Sequence, residues 1–304
     1  MYKGVNEIKK IMNENSEDIA FLIGNGINRY YNKNISWDDL LLELWRSFAN
    51  DDKKDIPNGI SLPEFYDILE IQNIDNKKLD NYAIQKKVKE IMDKWKPNNE
   101  QNKILKYIKK MNAPLLTTNF DDLIPKSLGL KLKIMQKRGF NDVYPWSYYY
   151  SDRELEYPTQ AFGVWYINGM IRYPRSIRLG LSHYMGSIAK ARKLIHDNPE
   201  NISFEGKNQS YWSGYKTWLH IIFNKSLFIF GLGLRESEVF IRWLLIERAK
   251  YYRKYPSRRH NGWYITTREE AKKESKGKKF FLESVGIKVI IADNYDDIYK
   301  KLWN

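Results

Sequence analysis

Cysteine is absent from the 304 residues. Its absence excludes disulfides, a cysteine nucleophile and any zinc site built on thiolates, and no metal site is expected. Long apolar runs are missing too. The longest, such as Leu227 to Leu234, fall far short of the roughly 20 residues that span a bilayer, so no membrane partner is expected. The opening stretch Met1-Tyr2-Lys3-Gly4-Val5-Asn6-Glu7 has no apolar core, which argues against a signal peptide. With the lack of cysteine, this points to the cytoplasm. Internal repeats and low-complexity linkers are also missing.

Apolar residues, in contrast, make up 42% of the chain and aromatics 15%, enough for a sizeable core and against wholesale disorder. The length suits one large α/β domain, or a domain with a helical insertion. The formal net charge is +14, which suggests a nucleic-acid or phosphate partner. A chain rich in Lys, Asn, Ile and Tyr is also what an AT-rich genome encodes, and much of the Lys alternates with acids, as in Lys86-Lys87-Val88-Lys89-Glu90. Composition is the favoured explanation, with a nucleic-acid partner as the alternative. Arg235, Arg242 and Arg248 at helical spacing would serve such a partner, but Glu236, Glu238 and Glu247 interleave with them. The basic stretches 248–259 and 272–279 read as solvated helix ends and a connecting loop.

A short amphipathic helix is expected over 5–14, then a strand at about 18–23. Ser36 is a good N-cap for a helix whose apolar face is Trp37, Leu40, Leu41, Leu44, Trp45 and Phe48. Residues 62–112 read almost entirely as helices, broken at Pro97 and Asn98-Asn99. Strand character returns at 113–118. Residues 131–180 are rich in strands and loops. Helices follow at about 182–197 and 210–223, a strand at 226–230 and a long helix at 235–254. The last units are strand 262–267, helix 268–284, strand 287–292 and a short helix. Continuous apolar strands alternating with helices predict an α/β fold, a parallel sheet with helices on both faces. Residues 1–304 are expected to form a single domain, with 50–112 as a helical insertion or subdomain.

Four segments place glycine or polar residues just after a predicted strand. They are Gly24-Asn25-Gly26-Ile27-Asn28, Thr117-Thr118-Asn119-Phe120-Asp121, Tyr166-Ile167-Asn168-Gly169 and Gly231-Leu232-Gly233. In an open parallel sheet the C-terminal strand ends share one edge, where a nucleotide binds. Each segment also has a plain structural reading. Gly-x-Gly and Asn-Gly are turn formers, and Asn119 and Asp121 suit Asx caps.

The four segments together resemble the SIR2-like, sirtuin-related family, in particular the NAD-hydrolysing SIR2-like domains of bacterial anti-phage defence. Phe21-Leu22-Ile23-Gly24-Asn25-Gly26-Ile27-Asn28 resembles the family's first glycine loop, and Trp37-Asp38-Asp39-Leu40-Leu41 the helix after it. Thr117-Thr118-Asn119-Phe120-Asp121 resembles its Thr-x-Asn-x-Asp signature. Ile167-Asn168-Gly169 through Pro174-Arg175-Ser176-Ile177 to Tyr184 resembles its His-Gly motif and the Pro-x-Ser-Ile stretch downstream of that motif. Phe230-Gly231-Leu232-Gly233-Leu234 with Glu236 and Glu238 resembles the late glycine strand on the adenosine side.

The resemblance spans residues 18–300 and implies a Rossmann-like domain that binds NAD, as substrate or ligand, and cleaves its nicotinamide–ribose bond. Asn119 would position the attacking water or ribose, and Asp121 would bond to the nicotinamide or ribose region. Gly24, Asn25, Gly26 and Asn28 would line the pyrophosphate and ribose, with Thr118, Gly231, Gly233 and Glu236 completing the NAD site. A homo-oligomer or a defence-system partner protein is implied as the trigger. The sirtuin zinc module is missing, which argues against a deacylase.

One departure bears on catalysis. Where the family has its catalytic histidine, this chain has Asn168, and asparagine takes up no proton near neutral pH. Three readings stay open. The protein is inactive, another base acts (His183 being nearest in sequence), or the branch binds a nucleotide without turning it over.

Overall fold

The computed structural model describes residues 4–32, 36–49, 51, 53–76, 80, 82–136, 141–196, 205–273 and 276–304. In chain order the elements are α1 (Val5–Glu14), β1 (Ile19–Ile23), α2 (Gly26–Asn32), α3 (Trp37–Phe48), α4 (Leu62–Asn73), α5 (Ala83–Met92), α6 (Asn99–Lys110) and β2 (Leu115–Thr117). Next come α7 (Leu123–Leu128), β3 (Lys131–Ile134), β4 (Tyr148–Ser151), β5 (Val164–Tyr166), α8 (Leu181–His196), α9 (Leu219–Asn224) and β6 (Ser226–Phe230). The chain closes with α10 (Val239–Lys254), β7 (Gly262–Thr267), α11 (Arg268–Lys273), α12 (Lys276–Ser284), β8 (Lys288–Ala292) and α13 (Tyr295–Tyr299).

One eight-stranded sheet runs in the order β3-β4-β5-β2-β1-β6-β7-β8. The six strands from β5 to β8 are parallel to one another. The edge differs from the all-parallel expectation: β4 is antiparallel to both β5 and β3. The link from β3 to β4 has no crossover helix among its described residues, so the chain reverses and pairs antiparallel. The fold is α/β and Rossmann-like.

Inside its outer strand β3, whose residues are exposed or half-buried, the sheet is buried on both faces. Along β1, Ala20 and Leu22 join one apolar cluster with residues of α8, α9 and α10. Ile19, Phe21 and Ile23 join another with α1, α6, α13 and the C-terminal Trp303. This is the two-residue period of a strand enclosed by helices. A third cluster stands apart from the sheet. It joins α3, α4 and α5 with Phe120, Ile171, Ile177 and Leu179. Ser36 caps α3 and Ser61 caps α4, each reciprocated by the acid three residues on.

Several boundaries shift from expectation. α9 starts at Leu219 because Thr217 turns the chain, its hydroxyl bonding Gly214 O at 2.8 Å. α10 starts at Val239 because the Glu238 carboxylate accepts from Arg235 N at 2.8 Å and holds a turn there. The helix expected over 268–284 crosses Glu274 and Ser275, and the one over 182–197 reaches Asp197, all three outside the described residues.

The basic stretches are not all solvated. Arg248 is buried, and its guanidinium donates to Ile222 O at 2.9 Å and to the carbonyls of Lys225, His260 and Asn261 at 3.2, 3.1 and 2.8 Å. Arg242 donates to Leu234 O at 3.0 Å and lies over the Phe281 ring. Arg235, Arg242 and Arg248 therefore form no common basic face. Lys278 is buried as well, its ammonium 2.6 Å from the Tyr264 hydroxyl.

Candidate functional site

The C-terminal ends of β5, β2, β1 and β6 open onto one cavity of about 620 Å³. All four expected segments contribute to its walls: Asn25 and Gly26, Thr118 to Asp121, Asn168, and Gly231 to Gly233. They meet because β1 lies between β2 and β6. The chain steps from β1 to β2 on one side and later returns to β6 on the other. That reversal is where open α/β sheets form their crevice. Glu236 and Glu238 also line it, Glu236 being exposed.

The two glycine turns pack on each other. Gly26 N donates to Gly231 O at 2.9 Å. A Cβ on Gly26 would sit 2.4 Å from the Tyr299 hydroxyl and 2.6 Å from Gly231 Cα. A Cβ on Gly24 would sit 2.6 Å from Gly231 O. The glycines at 24 and 26 are thus required by contact with protein rather than by room for a ligand. This corrects the expected role of Gly24, which does not line the cavity. Gly231, at φ +65°, takes the left-handed backbone that glycine permits. Gly233 has no such constraint, since the nearest atom to its Cβ would be Glu238 Oε2 at 3.5 Å.

Asn28 also lies behind the wall. It is buried, donating to Asp121 Oδ2 at 2.9 Å and Asn25 Oδ1 at 3.0 Å, and accepting from Gln101 Nε2 at 2.7 Å. It holds Asp121 instead of touching the cavity. Gln101 went unnoticed in the sequence. Its signal is a polar residue on the apolar stripe it shares with Ile104, Leu105 and Ile108.

Asp121 is buried and lines the cavity. Its second oxygen accepts from Leu123 N at 3.0 Å, so it also serves the Asx cap that its plain reading suggested. Burial, only partly offset by these bonds, pushes its carboxyl up to about 6. Asn119 is buried, with its N–H on Thr117 Oγ1 at 3.1 Å and its amide on Gly24 O at 3.4 Å. Asn168 is half-buried, and its backbone carbonyl accepts from Arg178 N at 2.9 Å. Gly169 has φ +96°, and a Cβ there would fall 2.0 Å from Ser176 O, so the Asn-Gly turn is real too.

His183 does not serve the cavity. Its Nδ1 accepts from the N–H groups of Leu179 and Gly180 at 3.1 and 3.3 Å, and its Nε2 lies 3.8 Å from Glu70. Burial, with Arg178 nearby, lowers its pKa to about 4. It caps the start of α8 and does not line the cavity.

The end of β7 with Glu270, Tyr295 and Tyr299 forms one further wall, and the helical cluster forms the other. Trp37 of α3, tilted against Phe120 at 5.4 Å, stands with Leu62, Met92 and Trp95 over the strand ends. Tyr184, also buried, lines the cavity, and burial beside Glu238 raises its phenol pKa. Among the described residues no group of three or more His, Asp or Glu could hold a metal, and no helix is long and apolar enough to cross a membrane.

No curated protein matches the chain. The family model that matches is described as a SIR2-like domain and covers residues 114–290. β1 and Asn25-Gly26 precede that span, yet the sheet order carries them to the same cavity. The match takes in more than half of the chain, and the chain belongs to the SIR2-like domain family.

Proposed function

We propose that the chain is an NAD+ glycohydrolase of anti-phage defence, acting in the cytoplasm in abortive infection. NAD+ and water give nicotinamide, ADP-ribose and a proton. The bond from the nicotinamide nitrogen to ribose C1′ breaks, its electron pair leaves with nicotinamide, and water oxygen bonds to C1′. The observation that carries this reading is the meeting of Asn119, Asp121 and Asn168 with the glycine turns at one cavity. Its volume of about 620 Å³ suits a ligand of dinucleotide size. The donor set also fits: amides for the nicotinamide end, and Glu236 and Glu238 for ribose hydroxyls.

In this reading Asn119 orients the water. Asp121, ionised above pH 6, faces the ribose, where its charge favours the oxocarbenium-like centre. Gly26, Thr118, Gly231 and Gly233 line the phosphates and ribose. Residues 1–304 act as one SIR2-like domain, and the helices within 50–112 cover the site. A partner protein or a homo-oligomer supplies the trigger.

Asn168 favours a second reading. Without a proton acceptor at that position, the chain would bind NAD or an ADP-ribose derivative as a sensor or scaffold of a defence complex. One experiment separates the two: incubate the protein with NAD+ and follow free nicotinamide, with and without Asn168→His. Positioning and electrostatics alone leave slow turnover. The substitution raises it by a general-base factor of about 10²–10⁴. Tight NAD+ binding with no nicotinamide released by either protein establishes the second reading. Brisk release unchanged by Asn168→His puts the base elsewhere.

A further inference from the structure

The last helix reaches the cavity through a residue beyond the matched span of 114–290. Tyr299 ends α13, and its ring is buried. Tyr30 of α2 stacks on that ring at 4.8 Å, and Phe230 of β6 is tilted against it at 6.1 Å. The Tyr31 hydroxyl donates to the Tyr299 carbonyl. The helix itself is capped by Asn294, whose side chain accepts from Asp297 N at 3.0 Å. Ring and backbone are fixed by these contacts, and the hydroxyl is the polar atom left over.

That hydroxyl lies between the two glycine turns. It is 2.8 Å from where a Cβ on Gly231 would sit, and closer still to one on Gly26. Gly26, Gly231 and Tyr299 all line the cavity. The hydroxyl makes no hydrogen bond among the described residues and stays open to the cavity. Burial pushes its pKa up, with Tyr295 and Tyr31 adding to the rise and Arg29 only partly opposing it. The phenol therefore keeps its proton and serves as a donor. Arg29, one turn after Gly26 on α2, is exposed, lines the same cavity and forms no ion pair among the described residues.

In parallel-sheet nucleotide folds a diphosphate approaches bare backbone at the first glycine turn. Here the Tyr299 hydroxyl takes up the room that the glycines leave. A diphosphate at the turns would meet a phenol donor instead. We propose that Tyr299 is a binding residue of this site, donating its hydroxyl to the diphosphate of a bound nucleotide, with Arg29 supplying positive charge beside it. The contact rests on the nucleotide reading of the cavity, and it makes α13 part of the site. A phenol on a phosphate oxygen forms a charge-assisted bond, among the stronger kinds.

Calorimetry of the full chain with NAD+, ADP and adenosine tests this on the protein as it stands, on Tyr299→Phe and on Arg29→Gln. Phenylalanine keeps the stacked ring, so the urea midpoint of Tyr299→Phe should not move. Tyr299→Phe should weaken ADP and NAD+ about tenfold and Arg29→Gln about threefold or more, with adenosine unaffected by either. If Tyr299→Phe binds NAD+ and ADP as tightly as before, the proposal falls and the NAD reading stands. An equal loss of ADP and adenosine makes Tyr299 a wall only, and tighter binding makes its hydroxyl a plug between the turns; either overturns the proposal. ADP binding that depends on Tyr299, with no binding of NAD+, overturns the NAD reading and leaves the diphosphate contact in place. Binding of neither at millimolar concentration overturns both.

Discussion

The glycine turns and the amide–carboxyl loops stand side by side at the same sheet edge, but different forces shape them. At Gly24, Gly26 and Gly231 the residue type is dictated by protein against protein, since the two turns touch each other and Tyr299. At Asn119, Asp121 and Asn168 the side chains face the cavity, and only part of their bonding capacity is used within the chain. A Gly-x-Gly after a strand is thus scaffold here, and the chemistry lies on the neighbouring loops.

Gly26→Val attacks the scaffold side and carries the largest expected effect. Its Cβ would meet Gly231 Cα at 2.6 Å, with backbone on that side and no slack. A loss of about 3 kcal/mol or more is expected in urea unfolding, and low soluble yield with it. The variant would lose NAD through misfolding rather than by blocking a phosphate. A stable Gly26→Val protein would show that the turns are not packed together.

Acid exposes a second structural group. The folded-state pKa of His183 is depressed to about 4, against about 6.5 when unfolded. His183 therefore contributes fully above pH 6.5, and the contribution is lost as pH falls through 4. The eventual loss is on the order of 3 kcal/mol. Urea midpoints between pH 7 and 4 should fall less steeply in His183→Gln, while the pH profile of nicotinamide release keeps its shape. A changed release profile would return His183 to the site.

Asn119→Ala tests the cavity side. Stability should drop by no more than about 1 kcal/mol, because its one side-chain bond is long at 3.4 Å. NAD+ turnover or binding should fall about tenfold or more. Equal losses in both would make Asn119 scaffold as well. Gly233→Ala carries the smallest effect. Its Cβ would make only ordinary contacts, with Glu238 Oε2 at 3.5 Å and Arg235 Cγ at 3.7 Å, so stability should stay within about 0.5 kcal/mol. A large loss would extend the scaffold rule to all four glycines.

Much of the site was legible because strand ends in a parallel sheet are predictable from local pattern. Thr118, Asn119, Asp121 and Asn168 each come just after a short apolar run, and each lines the cavity. Gly24 and Asn28 were misplaced because sequence marks a loop without saying which of its residues face inward. Asn28 turned toward Gln101, which is 73 positions away. Arg248 was misread for a related reason. Its role is to collect four carbonyls at the starts and ends of distant elements, and no local window contains them.

The sequence by itself determined the alternation of strands and helices, the cap at Ser36, and the places where polar groups emerge at strand ends. These depend on residues within a few positions of one another, through periodicity and local hydrogen bonds. The tertiary structure alone decided the antiparallel edge of β3 and β4, the packing of the two glycine turns, and the rise of the Asp121 carboxyl to about 6. Those depend on which distant segments come to lie within a few ångströms, and on how much water their meeting excludes.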